Sequence, residues 1–150
     1  MKYQIIYSSI SSVPMEPEDL EEILMQARSN NSRTGITGAL VYVDRFFLQI
    51  LEGEKVNVQN LFNTIFGDIR HEVVTLIQET EISQSDFADW EMAYISATPE
   101  EIAKWAGLST TSRLPEVISN IRQSPERALQ VAQNILSILA IESEPQSKLK

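Results

Sequence analysis

The sequence has no cysteine, a single histidine, five glycines and six prolines among its 150 residues. Without cysteine there is no disulfide framework, thiolate zinc site, iron–sulfur cluster or cysteine nucleophile. One histidine cannot build a multi-histidine metal site, and any Ser-His-Asp triad would have to run through His71. The glycines are scattered and form neither GxGxxG nor a GxxxxGK-Ser/Thr loop, so no glycine-rich phosphate cradle is expected. Positive charge is scarce: 12 Lys and Arg face 21 Asp and Glu, a net charge of −9 that disfavours binding to a nucleic-acid backbone. No apolar run approaches the roughly 18 residues of a membrane span. Met1-Lys2-Tyr3-Gln4 leads straight into a strand-like pattern, so we expect no signal peptide and a soluble cytoplasmic protein.

The composition that is present is that of one folded domain, 43% hydrophobic. Charge divides it. Residues 1–96 hold six Lys/Arg against fifteen Asp/Glu, all of the net charge, whereas residues 97–150 hold six of each. The periodicity changes at the same place. We therefore expect a core domain over 1–96 and a helical extension over 97–150, with a frayed tail from about Glu142.

Residues 3–9 are rich in Ile and Tyr and predict a first strand. Pro17, Glu18 and Asp19 open a helix, and Leu20, Ile23, Leu24 and Ala27 give it one apolar face. Asn30, Asn31 and Gly35 end it. Ile36 to Leu51 predicts two strands around a tight turn at Asp44-Arg45, with Gly53 breaking the run. Val58, Leu61, Phe62, Ile65 and Phe66 form the stripe of a second helix. Val73–Ile82 predicts a fourth strand. Trp90–Ile95 predicts a fifth, with Trp90, Met92 and Tyr94 on one face and Ala93 and Ile95 on the other. The order βαββαββ predicts an α+β, ferredoxin-like sandwich: a five-stranded sheet with both helices on one face. In the extension, Thr98, Pro99 and Glu101 form a capping box and Gly107 a stop. A last helix opens at Ser124-Pro125, and its stripe of Leu129, Ala132, Ile135, Leu136 and Leu139 must be buried against the sheet or a partner.

Few residues promise chemistry. Gln49 lies in Phe46-Phe47-Leu48-Gln49-Ile50-Leu51, where both strand faces look buried, and its amide needs partners. It can cap a core backbone group or meet the polar edge of a ligand. Tyr7, on the face of Tyr3 and Ile5, needs a partner for its hydroxyl and can be an ordinary core tyrosine. Asn30 and Asn31 suit a helix C-cap. Trp90 and Met92 read as core. Arg70-His71 suits either a solvated loop or a phosphate or polar ring edge. Glu52 and Glu54 are expected to charge the start of the second helix favourably.

Taken together, Tyr7 in IIYSS, Asn31 in SNNSRTGITGAL, Gln49 in FFLQILEGE, Arg70-His71 in DIRHE and Trp90-x-Met92 in FADWEM resemble the BLUF domains, sensors of blue light using flavin, over about residues 2–95. The extension resembles the C-terminal helices of short, stand-alone cyanobacterial BLUF proteins of the PixD group. The resemblance implies a non-covalent flavin, FAD or alternatively FMN, lying between the two helices. It implies Tyr7 as electron and proton donor, and Gln49 as a hydrogen-bond switch between Tyr7 and the ring. Asn31 and Asn30 would hold the ring's carbonyl and N3–H edge, Arg70 and His71 would lie near its ribityl side, and Trp90 and Met92 would be a movable readout. Ala27 stands where some members have a serine near the switch. A homo-oligomer and a separate downstream protein, such as a response-regulator-like partner, are also implied; no metal, nucleic acid, membrane or enzymatic turnover is. Two other classes fit the sandwich: a flavin-free regulatory module binding a ligand or partner, and an acylphosphatase-like hydrolase. The hydrolase is disfavoured because Tyr7-Ser8-Ser9 stands where its phosphate loop would be.

Overall fold

The computed structural model describes residues 2–68 and 71–141; the tail from Glu142, Arg70 and the side chain of His71 lie outside them. The chain runs β1 (Lys2–Ser11), α1 (Pro17–Thr34), β2 (Thr37–Val43), β3 (Phe46–Glu54), α2 (Lys55–Phe66), β4 (His71–Ile82) and β5 (Ala93–Ser96). Three further helices follow, α3 (Pro99–Trp105), α4 (Leu114–Gln123) and α5 (Pro125–Ile141). The five strands are ordered β4-β1-β3-β2-β5. Every neighbouring pair is antiparallel except β2 and β5. This is the ferredoxin-like arrangement with one added edge strand.

Local chemistry explains the elements. Pro17 opens α1, the Asp19 carboxylate accepts from the Glu16 N–H, and Gly35 closes the helix at φ 70°, a conformation that favours glycine. The turn between β2 and β3 has both central residues at positive φ, Asp44 at 47° and Arg45 at 73°, which matches the strand twist. Arg45 is not a residue favoured there, and its guanidinium offsets the cost by donating to the Ser11 and Ser12 carbonyls. Gly53 does not break β3: it stays in the strand opposite Tyr3.

The sheet separates two cores. On one face Tyr3, Ile5, Tyr7, Phe47, Leu51 and Met92 pack with Leu24 of α1 and Val58 of α2. On the other, Ile6, Val41, Leu48 and Ile50 pack with Ile102, Val117, Ile121, Val131 and Ile135 of the C-terminal helices. From Ala132 to Leu139 the apolar stripe of α5 is therefore covered by the chain's own core, while Leu129 stays partly exposed. α4 was not expected as a separate helix, and it buries Val117 and Ile121 in that far core.

Two expectations need correction. The fifth strand begins at Ala93, not Trp90. Trp90 and Met92 also do not share a face: Trp90 lies in the far core and Met92 in the core beneath α1 and α2. The segment 90–92 carries its hydrogen bonds to α1 and β2 side by side rather than to a ladder, which frees it from strand alternation. Among the described residues no helix is long and apolar enough to cross a membrane.

Candidate functional site

A cavity of about 120 Å³ opens between α1, α2 and the sheet. Its walls are apolar, with Ile23 and Ala27 from α1, Leu40 and Phe47 from the sheet, and Leu61 and Ile65 from α2. Ile23 and Ala27 are half-buried: they pack against the core on this face and also line the cavity. The helix period makes the slot: positions 23, 27, 30 and 31 share one side of α1, and 61, 64 and 65 one side of α2. At about ten times the space one water needs, it suits a flat ligand better than a trapped solvent molecule.

A short chain of polar groups crosses the floor. Tyr7 and Gln49 are directly opposite in the β1–β3 register, so both side chains rise on the same face. The Tyr7 O–H donates to Gln49 Oε1. Gln49 Nε2 in turn donates to Met92 Sδ at 3.4 Å. The Tyr7 ring is steadied by Phe62, edge to face at 5.4 Å between centroids. Burial, and secondarily the negative charge of Asp68, push the Tyr7 pKa well above that of a free phenol. Tyr7 therefore keeps its proton at any working pH.

Asn31 closes one end. It is 1% exposed, and its Nδ2 donates to the Glu91 carbonyl at 2.6 Å. Its Oδ1 is buried with no hydrogen-bond partner, at the wall of the cavity. An orphaned buried acceptor is costly unless a donor arrives. Asn30 also lines the cavity but is exposed, and its Oδ1 accepts from Arg33. Neither asparagine is the helix cap: α1 runs on to Thr34 and Gly35 closes it, with the Asn31 carbonyl accepting from the Gly35 and Ile36 N–H groups as part of the last turn.

The structure thus brings Tyr7, Gln49, Asn30 and Asn31 to one slot and Met92 against Gln49. It keeps Trp90 on the other side of the sheet, where its indole Nε1 is buried without a partner. Glu54 is the N-cap of α2, but Glu52 does not act on that helix. It is fully buried on the far face, where it accepts from Gln4 Nε2 at 2.7 Å and the Phe87 N–H at 2.8 Å. Burial raises its pKa despite those donors. Sequence reasoning missed Asp68, Thr64 and Gln26 at the cavity and Arg28 beside it. The helical spacing of Thr64 and Gln26 from residues already on the apolar faces was a usable signal; Asp68, beyond the end of α2, and Arg28 gave none.

An apolar slot with an unsatisfied polar group at its edge fits an isoalloxazine ring, whose flat faces are apolar and whose edge carries hydrogen-bonding atoms. Comparisons with known proteins agree with that chemistry. Residues 2–93 match the BLUF family, described as sensors of blue-light using FAD. The beta subunit of photoactivated adenylate cyclase from Euglena longa is 34% identical over 121 residues, 80% of this chain but only 13% of that protein. The dark-state structure of BlrB, a BLUF protein, superposes with a TM-score of 0.75 at 26% identity, covering 92% of this chain and 97% of the other. The photo-activated state of BlsA gives 0.64 at 34% identity, over 70% and 76% of the two chains.

Proposed function

This chain belongs to the BLUF family, and from that premise we propose that it is a cytoplasmic blue-light photoreceptor that holds FAD non-covalently in the slot between α1 and α2. The observation that carries the reading is the relay Tyr7–Gln49–Met92 on the floor of that slot, with the unpaired Asn31 oxygen at its rim.

Flavin, when bound, absorbs the blue light and becomes a strong oxidant. Tyr7 is the donor of an electron and, with it, the phenolic proton, since its raised pKa prevents loss of the proton beforehand. Gln49 holds the Tyr7 hydroxyl by its oxygen and a weak thioether acceptor by its nitrogen. Its two ends are thus unequally satisfied, and rotation or tautomerisation exchanges donor for acceptor at the ligand edge. Asn31 and Asn30 would orient the ring; Arg70 and His71, whose side chains lie outside the described residues, are carried over from the family resemblance as residues for its polar side chain. Met92 registers the change at Gln49, and Trp90, joined to it through one residue, passes it to the far core. Residues 1–96 form the sensor, and α3 to α5 present the outcome to a separate protein, with the chain itself acting on no substrate.

The test is optical. Purified protein should be yellow, and blue light should shift its flavin band reversibly to the red. Cofactor released by heat and chromatographed against standards separates FAD from FMN. A colourless preparation that neither flavin can reconstitute would overturn the reading in favour of a flavin-free regulatory module.

A further inference from the structure

Met92 is held at both ends. Its sulfur accepts from Gln49, while its backbone carbonyl accepts from Arg28 Nε at 3.1 Å and Arg28 Nη2 at 2.9 Å. Two further carbonyls in the same stretch are also taken. Asn31 donates to Glu91, and the Gly38 N–H donates to Trp90 at 3.0 Å. Arg28 and Asn31 lie three apart on α1 and so reach out from the same side of the helix. Of these grips only Arg28's is charged and two-pronged, and it is the one on the residue that touches the switch. The guanidinium is half-buried; burial lowers its pKa and the nearby Glu91 charge opposes that, so its bonds are made partly out of water.

We propose that Arg28 is a positioning residue for the light response. Its fork on the Met92 carbonyl fixes the backbone from which the Met92 sulfur meets Gln49, and breaking that fork is part of reaching the signalling arrangement. The inference rests on the photoreceptor reading above. It adds that the lifetime of the red-shifted state depends on a residue that does not line the flavin slot.

The experiment compares the flavin-loaded protein with Arg28→Met, which keeps length and apolar contact, and Arg28→Lys, which keeps charge but not the planar fork. Dark spectra and flavin content should be unchanged. With 13C-carbonyl-labelled methionine, the dark-state NMR resonance of Met92 should move in both variants. Recovery from the red-shifted state should slow about tenfold in Arg28→Met, because the returning transition state loses charged hydrogen bonds, and by less in Arg28→Lys. A Met92 resonance that moves while recovery stays within about twofold of the parent would overturn the proposal, since that is what a merely structural tie gives. If Arg28→Met does not fold, Arg28→Lys carries the same two readouts. A parent protein that binds flavin but shows no red shift removes the photoreceptor reading itself, and a parent that shifts beside an unaffected pair of variants removes only this inference.

Discussion

Gln49 is a buried amide whose two ends are held unequally. Its oxygen has a firm partner in Tyr7 and its nitrogen only a sulfur, so the amide is anchored on one side and loosely held on the other. Gln49→Leu should keep flavin but lose the light-induced red shift, read by difference spectroscopy. Tyr7→Phe leaves the Gln49 oxygen without its donor in a buried site; we expect a stability loss of about 1–3 kcal/mol in denaturant unfolding, and no red shift. Glu52 belongs to the same scale. Its folded pKa is raised above its unfolded value, so its protonated form favours the fold: that contribution is fully present below the unfolded pKa and is lost as pH rises through the folded one. Melting of the parent against Glu52→Gln should therefore show the parent gaining relative stability as pH falls through the folded pKa, with the gain complete below the ordinary glutamate range. Tyr7 and Gln49 drew notice in the sequence because a polar group in an apolar run needs a partner, but that reading left both open to a core role, and only the family resemblance paired them. Glu52 was misread because its neighbour Glu54 does sit at a helix start. Arg28 was silent, since an arginine on a helix has no pattern that reveals a distant carbonyl.

Among the elements, those governed by local chemistry followed the sequence. Pro17 and Gly35 bound α1, Asp44-Arg45 turns the hairpin, and the Thr98 capping box starts α3 with the Glu101 N–H on the Thr98 hydroxyl. Where partners are distant the reading slipped. Trp90–Met92 has the alternation of a strand, but its carbonyls are claimed by Arg28, Asn31 and Gly38, and tertiary bonds override the pattern. α4 was available from Leu114, Val117, Ile118 and Ile121 at helical spacing, yet the loop-like residues before it hid its start. Gly38 has no room for a side chain: a Cβ there would lie 1.9 Å from the Ile50 carbonyl oxygen. Neither backbone can yield within a paired β2–β3 ladder, so Gly38→Ala should lower the unfolding free energy by about 3 kcal/mol in a urea titration.

At the scale of the whole molecule, the division seen in charge has a counterpart in packing, with one core on each side of a single sheet. Burial of the α5 stripe from Ala132 to Leu139 inside the chain removes that stretch as a reason for self-association. Ending the chain after Ser96 would bare Ile6, Val41, Leu48 and Ile50 together, an apolar patch on the order of several hundred Å². Such a fragment should aggregate in size-exclusion chromatography although every slot-lining residue is retained.

The sheet is crossed by the chain itself within three residues, Met92 in one core and Trp90 in the other. Any coupling of binding affinity across it would be reciprocal by thermodynamic necessity. A protein that binds α3 to α5 more tightly in one state must, to the same factor, bias the equilibrium at Gln49. The colour of the flavin then becomes a binding assay: a candidate partner that displaces the flavin band when titrated in the spectrometer would reveal itself as the listener without any label on either protein.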